Sequence, residues 1–172
     1  MFEGLKGKIL VLVLIIFAAR AAVHNLHDPF RYKGPWYTVN RPVGWKVEEV
    51  ENEVLFKSPK TRGAVPEAIF SIYGIKPEQA IFMEDFFAEV LEQLRYQKGE
   101  LLDKGQIEID GQVSHWTLFK NRTPPLAILT FYTVDDFNRL TKIQYIAPYQ
   151  TFDDYREKFD AFKDSFQFKG IF

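Results

Sequence analysis

The sequence predicts an α+β fold, with a central antiparallel sheet of about six or seven strands and two main helices. Three observations predict it. Short β-branched and aromatic runs alternate with turn signals. Asp110-Gly111 stands between two such runs and marks a two-residue hairpin, which joins antiparallel neighbours. Two longer stretches carry apolar residues at helical spacing, and a helix apolar on one side must cover a sheet or another helix.

The elements follow in order. Residues 24–34 read as a polar spacer with Pro29 and Gly34, and 36–39 as a short strand. Pro42 and Gly44 break regular structure in the turn 41–45. Residues 46–50 and 54–57 read as a hairpin joined by the acidic Glu51-Asn52-Glu53. Residues 58–66 form a loop, and 68–73 a strand. Pro77 leads into a helix whose wide apolar face holds Phe82, Phe86, Val90 and Leu94 beside Met83, Phe87 and Leu91. Gly99 is expected to cap its C-terminus. Strands at 106–109 and 113–121 flank the Asp110-Gly111 turn. The continuous apolar run 126–134 reads as a strand central in the sheet, turned by Asp135-Asp136 into a further strand at 139–147.

The last helix has the clearest pattern. Thr151 and Asp154 resemble a capping box. Phe152, Tyr155, Phe159, Phe162 and Phe166 then recur at alternating steps of three and four, opposite a charged face. That stripe is expected to pack on the domain's own sheet. Phe168 opens a short final strand. Periodicity leaves open whether the two helices share one face of the sheet.

The first thirty residues differ from the rest. Lys6 and Lys8 precede an unbroken apolar run, 9–19, and Ala19-Arg20-Ala21 has the small-x-small form of a cleavage site. A spanning helix needs about 20 mainly apolar residues. Arg20 interrupts this run near its end, where its side chain can snorkel and let a helix continue to Val23. Residues 1–28 are therefore read as a signal peptide or a signal-anchor helix, and 29–172 as a single domain. The domain is expected outside the cytoplasm, exported or membrane-tethered, although positive charge flanks both ends of the run. About 145 residues make a domain large enough to fold without staples. An aromatic content of 16%, with 17 Phe, is far from a disordered composition.

Bulk chemistry excludes several functions. The net charge is -1 and there is no basic block to track phosphates, so no nucleic acid is expected. With no cysteine there is no disulfide, thiol nucleophile, Cys-based zinc site or lipid-modified cysteine. No nucleophile elbow, Walker-type or dinucleotide-binding glycine motif occurs.

The remaining candidates each have a plainer reading. His24 and His27, followed by Asp28, have a metal-compatible spacing but no rigid frame or defined fourth ligand, and read as linker residues. His115 reads as packed or partly exposed. Asp135-Asp136 and Asp153-Asp154 are paired acids at turns and helix starts, where carboxylates satisfy backbone N–H groups. Lys57, Lys60 and Arg62 make a small basic patch suited to lipid headgroups or an acidic partner, or an ordinary solvated loop. Trp36, Trp45 and Trp116 are candidates for an aromatic binding surface, with Trp36 near enough to the linker to sit at a membrane interface. No catalytic, cofactor or metal residue is assigned.

The segment Tyr37-Thr-Val-Asn-Arg-Pro-Val-Gly-Trp45, the helix 82–98, the hairpin that follows and the aromatic helix closing on Asp164-Ser-Phe166 together resemble the PsbP-like superfamily across roughly residues 36–168. The superfamily includes a photosystem II extrinsic subunit, a nuclear-import cofactor and bacterial periplasmic domains. The resemblance implies a three-layer α/β/α sandwich and, for most members, binding without catalysis. Function does not transfer with such a fold. The expected function is a non-enzymatic module that binds a protein partner at a membrane. A carrier or chaperone for lipid or an apolar helix is the alternative, and an enzyme comes third. The sequence leaves the oligomeric state open.

Overall fold

The computed structural model describes residues 30–170. From Tyr32 onward the described residues form one compact unit. The expected signal or anchor segment, with His24, His27 and Asp28, lies outside the described residues. Among the described residues no helix is long and apolar enough to cross a membrane.

The centre is a seven-stranded antiparallel sheet. Its strands are β3 (Lys46–Val50), β4 (Glu53–Lys57), β7 (Ile69–Ile75), β8 (Gly99–Ile109), β9 (Gln112–Asn121), β10 (Leu126–Val134) and β11 (Leu140–Pro148). Their spatial order is β3-β4-β7-β11-β10-β9-β8, and each neighbouring pair is antiparallel. A second sheet joins β1 (Arg31–Lys33), β2 (Tyr37–Asn40) and β12 (Gln167–Phe168). The loop expected after β4 holds a two-stranded hairpin, β5 (Thr61–Arg62) with β6 (Val65–Pro66). The helices are α1 (Met83–Tyr96) and α2 (Arg156–Asp164), the latter preceded by a 3-10 helix over Tyr149–Tyr155. The α+β sandwich expected from the sequence is the observed architecture.

The helices cover opposite faces of the sheet. Phe131 and Tyr132 are consecutive on β10, so their side chains point to opposite sides. Phe159 of α2 lies 6.0 Å from the Phe131 ring, whereas Phe86 and Phe87 of α1 lie 5.8 and 6.2 Å from the Tyr132 ring.

The α2 face is the aromatic core. Phe56, Phe70 and Tyr145 stand in one register row across β4, β7 and β11. Phe159 and Phe162 pack on that row, with Phe70 5.2 Å from each. Every member of the C-terminal aromatic stripe is buried, because the 3-10 helix and α2 together follow the predicted spacing.

Two local expectations fail for identifiable reasons, the caps expected at Gly99 and Thr151. Gly99 does not cap α1. The helix stops at Gln97 in extended backbone, and Gly99 opens β8. A Cβ there would sit 2.2 Å from the Phe119 ring and 2.5 Å from the Lys120 carbonyl, so the glycine serves close packing. Residues 77–82 lead into α1 as expected, and Asn138 holds them there, accepting from Ile81 N at 2.8 Å and donating to the Gln79 carbonyl at 2.8 Å. Thr151 makes no capping bond, since its hydroxyl turns back to the Pro148 carbonyl and the chain there is 3-10. The Asp110-Gly111 turn forms as predicted. Both residues have positive φ, 49° and 78°, which a type I′ turn requires.

Candidate functional site

His115 is buried, and its ring packs 4.5 Å from that of Phe87. Its Nε2 lies 3.3 Å from Glu84 Oε1 and 3.3 Å from Gln106 Nε2, while Gln106 Nε2 donates to the same Glu84 oxygen. The tautomer with hydrogen on Nε2 donates to Glu84, and the other accepts from Gln106. This cluster docks α1 onto β8 and β9. It brings together one exposed carboxylate, one amide and one buried imidazole.

The other sequence candidates also resolve into structure. Asp135 is buried and pairs with Arg139, while its second oxygen accepts from Phe137 N at 3.0 Å and Arg139 N at 2.9 Å. Arg139 in turn donates to the Lys169 carbonyl at 2.9 Å. This carboxylate therefore organises the β10–β11 turn and ties it to the C-terminus. Asp136 is exposed beside it. Asp153 and Asp154 are exposed on the 3-10 helix. Lys57 leaves the expected basic patch, because its ammonium pairs across the strands with Glu48 at 2.8 Å and holds that carboxyl below its usual range. Lys60 and Arg62 remain exposed. Among the described residues no group of three or more His, Cys, Asp or Glu could hold a metal ion.

The three tryptophans do not form one surface. Trp45 is core, 4.3 Å from the Phe70 ring. Trp36 and Trp116 each wall a separate surface hollow.

The Trp36 hollow has a volume of about 330 Å³. Tyr32, Trp36 and Tyr37 supply its aromatic side, and Glu49, Glu51 and Glu53 its acidic side. Among the described residues no lysine or arginine lines it. Its walls are pinned. The Trp36 indole lies against Gly74, where a Cβ would meet Cζ2 at 2.5 Å, and its Nε1 donates to Thr141 Oγ1 at 3.3 Å. Gly74 N donates to the Asn52 carbonyl at 3.0 Å, which fixes the β3–β4 turn against the same strand. Tyr32 donates to Glu49 Oε1 at 2.9 Å. Burial, then this bond and the Glu49 charge, push the Tyr32 hydroxyl up to about 12. Burial raises Tyr37 further, with Tyr32 and Glu49 adding to it.

A second hollow, of about 490 Å³, lies between α2 and the β8–β9 hairpin. Trp116, Leu118, Leu129 and Phe131 line it. Gly105 lets the Trp116 indole lie close over β8, since a Cβ there would meet Nε1 at 2.9 Å. Four of the five charged residues on its rim are paired, Arg156 with Asp160 at 3.1 Å and Lys163 with Asp164, and Asp103 is the fifth. A third hollow, of about 400 Å³, forms where the 41–45 turn meets α2, with Arg41, Trp45, Lys158 and Phe162 among its lining.

The sequence identified the acidic turn and Trp36 separately. It did not show that they meet. Their convergence depends on Trp36 crossing to β7, which no local pattern encodes.

No protein-family model matches the chain, and no curated protein matches it. Solved structures do. Cyanobacterial PsbP from Synechocystis is 18% identical with a TM-score of 0.58, covering 80% of this chain and 91% of that one. A protein from Bacteroides thetaiotaomicron is 16% identical with a TM-score of 0.56; the match covers 81% of this chain but only 48% of that one. The Pseudomonas aeruginosa protein PA94 is 14% identical with a TM-score of 0.58, covering 78% of this chain and 93% of that one. What these likenesses show is the fold, an antiparallel sheet between helices as in cyanobacterial PsbP.

Proposed function

We propose that the chain is a non-enzymatic binding module that recognises a protein partner at a membrane, exported across it or tethered by residues 1–28. The observation that carries this reading is the set of aromatic-walled surface hollows with charged rims on an otherwise densely packed domain. Aromatic side chains held rigid at the surface are the usual anchors of protein recognition, because little side-chain entropy is lost when a partner docks. The PsbP-like fold fits the reading, since the resemblance implies binding for most members.

The test is mild cross-linking of the tagged full-length chain in its native host, followed by mass spectrometry of the bait's N-terminus and its companions. One stoichiometric protein companion is expected. Its absence, with the bait folded and recovered, sinks the reading. An intact Met1 on the bait means an anchor, and a new N-terminus near residue 22 means a released domain.

One observation favours a second reading, a carrier for an apolar ligand. The hollow under Trp116 combines an apolar wall of Ile107, Trp116, Leu118, Leu129 and Phe131 with a charged rim, and is large enough for a small amphiphile. Native mass spectrometry that finds one bound lipid and no protein companion would select this reading over the first.

A further inference from the structure

We infer that the Trp36 hollow receives a basic side chain, arginine or lysine, from the protein partner. The inference rests on the reading of the chain as a protein-binding module and names the chemistry of one contact. Three features of the hollow converge on a cation carried on an apolar stem. The first is the aromatic wall, in which Tyr32 and Trp36 are partly exposed while Tyr37 is buried and stacked on Phe166. Ring faces attract cations through their quadrupole, tryptophan most strongly. The second is charge complementarity. Three carboxylates line the hollow with no lysine or arginine among the described residues there to answer them. In the Trp116 hollow, by contrast, two cations answer two of the three carboxylates, Arg156 with Asp160 and Lys163 with Asp164, leaving Asp103.

The third feature is size and spacing. Glu49, Glu51 and Glu53 come from β3, the β3–β4 turn and β4, and among the described residues they are not grouped as metal ligands. A volume of about 330 Å³ suits a larger, delocalised or stem-borne cation. The wall is also set before any partner arrives. Gly74 and Thr141 fix the Trp36 ring, and the Gly74–Asn52 hydrogen bond fixes the acidic turn. A preorganised wall reduces the ordering cost of binding.

The experiment titrates the isotope-labelled full-length chain, in neutral detergent, with N-acetyl-arginine amide and follows the three indole N–H resonances by NMR. A saturable shift is expected at Trp36, with Trp45 and Trp116 unmoved. N-acetyl-glutamine amide should leave all three in place. The double variant Glu49→Gln/Glu51→Gln keeps the acceptor for Tyr32 and should weaken arginine binding at least about tenfold. The control Glu100→Gln/Glu108→Gln on β8 should not. No shift at Trp36, an equal shift in the Glu49→Gln/Glu51→Gln chain, or tighter binding of tetramethylammonium than of the arginine derivative would overturn the inference.

A second arm repeats the cross-linking with the same double variant. Loss of the wild-type companion is expected. If the variant captures that companion undiminished, the hollow is not the contact and the inference fails while the module reading stands. If the wild-type chain captures no protein, the module reading itself fails.

Discussion

Arg139 carries a charge on a side chain only 11% exposed, and Asp135 answers it from a side chain 4% exposed. Such a pair is stable only while both partners and their hydrogen bonds are present, because a lone buried charge keeps its desolvation cost. Asp135→Ala should therefore cost about 3–5 kcal/mol in urea unfolding. The double variant Asp135→Leu/Arg139→Met should cost less than either single change, since no charge is left stranded. A sum of the two single effects would show that the charges do not act as a pair. Gly74 makes a different point at the same scale. Gly74→Ala places a methyl against the rigid Trp36 ring and should cost about 1–3 kcal/mol by overpacking. Trp36 emission should change with it, and an unchanged spectrum with unchanged stability would mean that the indole can move aside.

The two helices are amphipathic to the eye, yet they are bound very differently. Over its 14 residues α1 has one buried side chain, Phe87, and Phe82 at its N-terminus is 72% exposed. In α2 Phe159, Phe162 and Lys163 are buried, continued by Phe152, Tyr155 and Phe166 on its flanks. Local opening follows buried contacts rather than hydrogen-bond number. Backbone amides of α1 should therefore exchange with deuterium well before those of α2, and equal protection would contradict this account. Phe159→Ala should cost about 3–5 kcal/mol, because the side chain is fully buried among Phe70, Phe131, Tyr145 and Phe162.

For the whole molecule, the tyrosines set the alkaline limit. Burial, the leading cause in each, makes Tyr32, Tyr37, Tyr132, Tyr145 and Tyr155 ionise later in the folded chain than their ordinary value of 10.0. Below that value both states hold the proton, and the contribution to stability is complete. Above it the unfolded chain releases protons that the native chain keeps, so stability falls as pH rises toward and beyond the Tyr32 value of about 12. Unfolding midpoints measured in pH steps should be level approaching 10 and then drop, with tyrosinate absorbance rising together with unfolding. Tyr37→Phe should make that drop shallower. A phenolate signal from all five groups while the fold is intact would refute it. At the acid end Glu48 acts in the opposite sense. Its pairing with Lys57 contributes above the ordinary carboxyl value and is lost as pH falls below it.

The sequence by itself determined the local periods and punctuation. It located the β3–β4, β8–β9 and β10–β11 hairpins, because alternation and turn residues act within a few positions. It also marked the buried stripe from Phe152 to Phe166, because a three-and-four spacing has one apolar face wherever it packs. It misplaced the end of α1, since the glycine that looks like a cap is required by Phe119, a residue twenty positions away. Only the tertiary structure decided which face each helix covers, that β11 rather than β10 stands at the middle of the sheet, and that Asp135 is an internal counter-ion. It alone brought Trp36, Gly74 and the Glu51 turn together around one hollow. The physical reason is range. Propensity and turn chemistry are written in neighbouring residues, whereas a wall is made by side chains from separate strands that meet only once the register of the whole sheet is fixed.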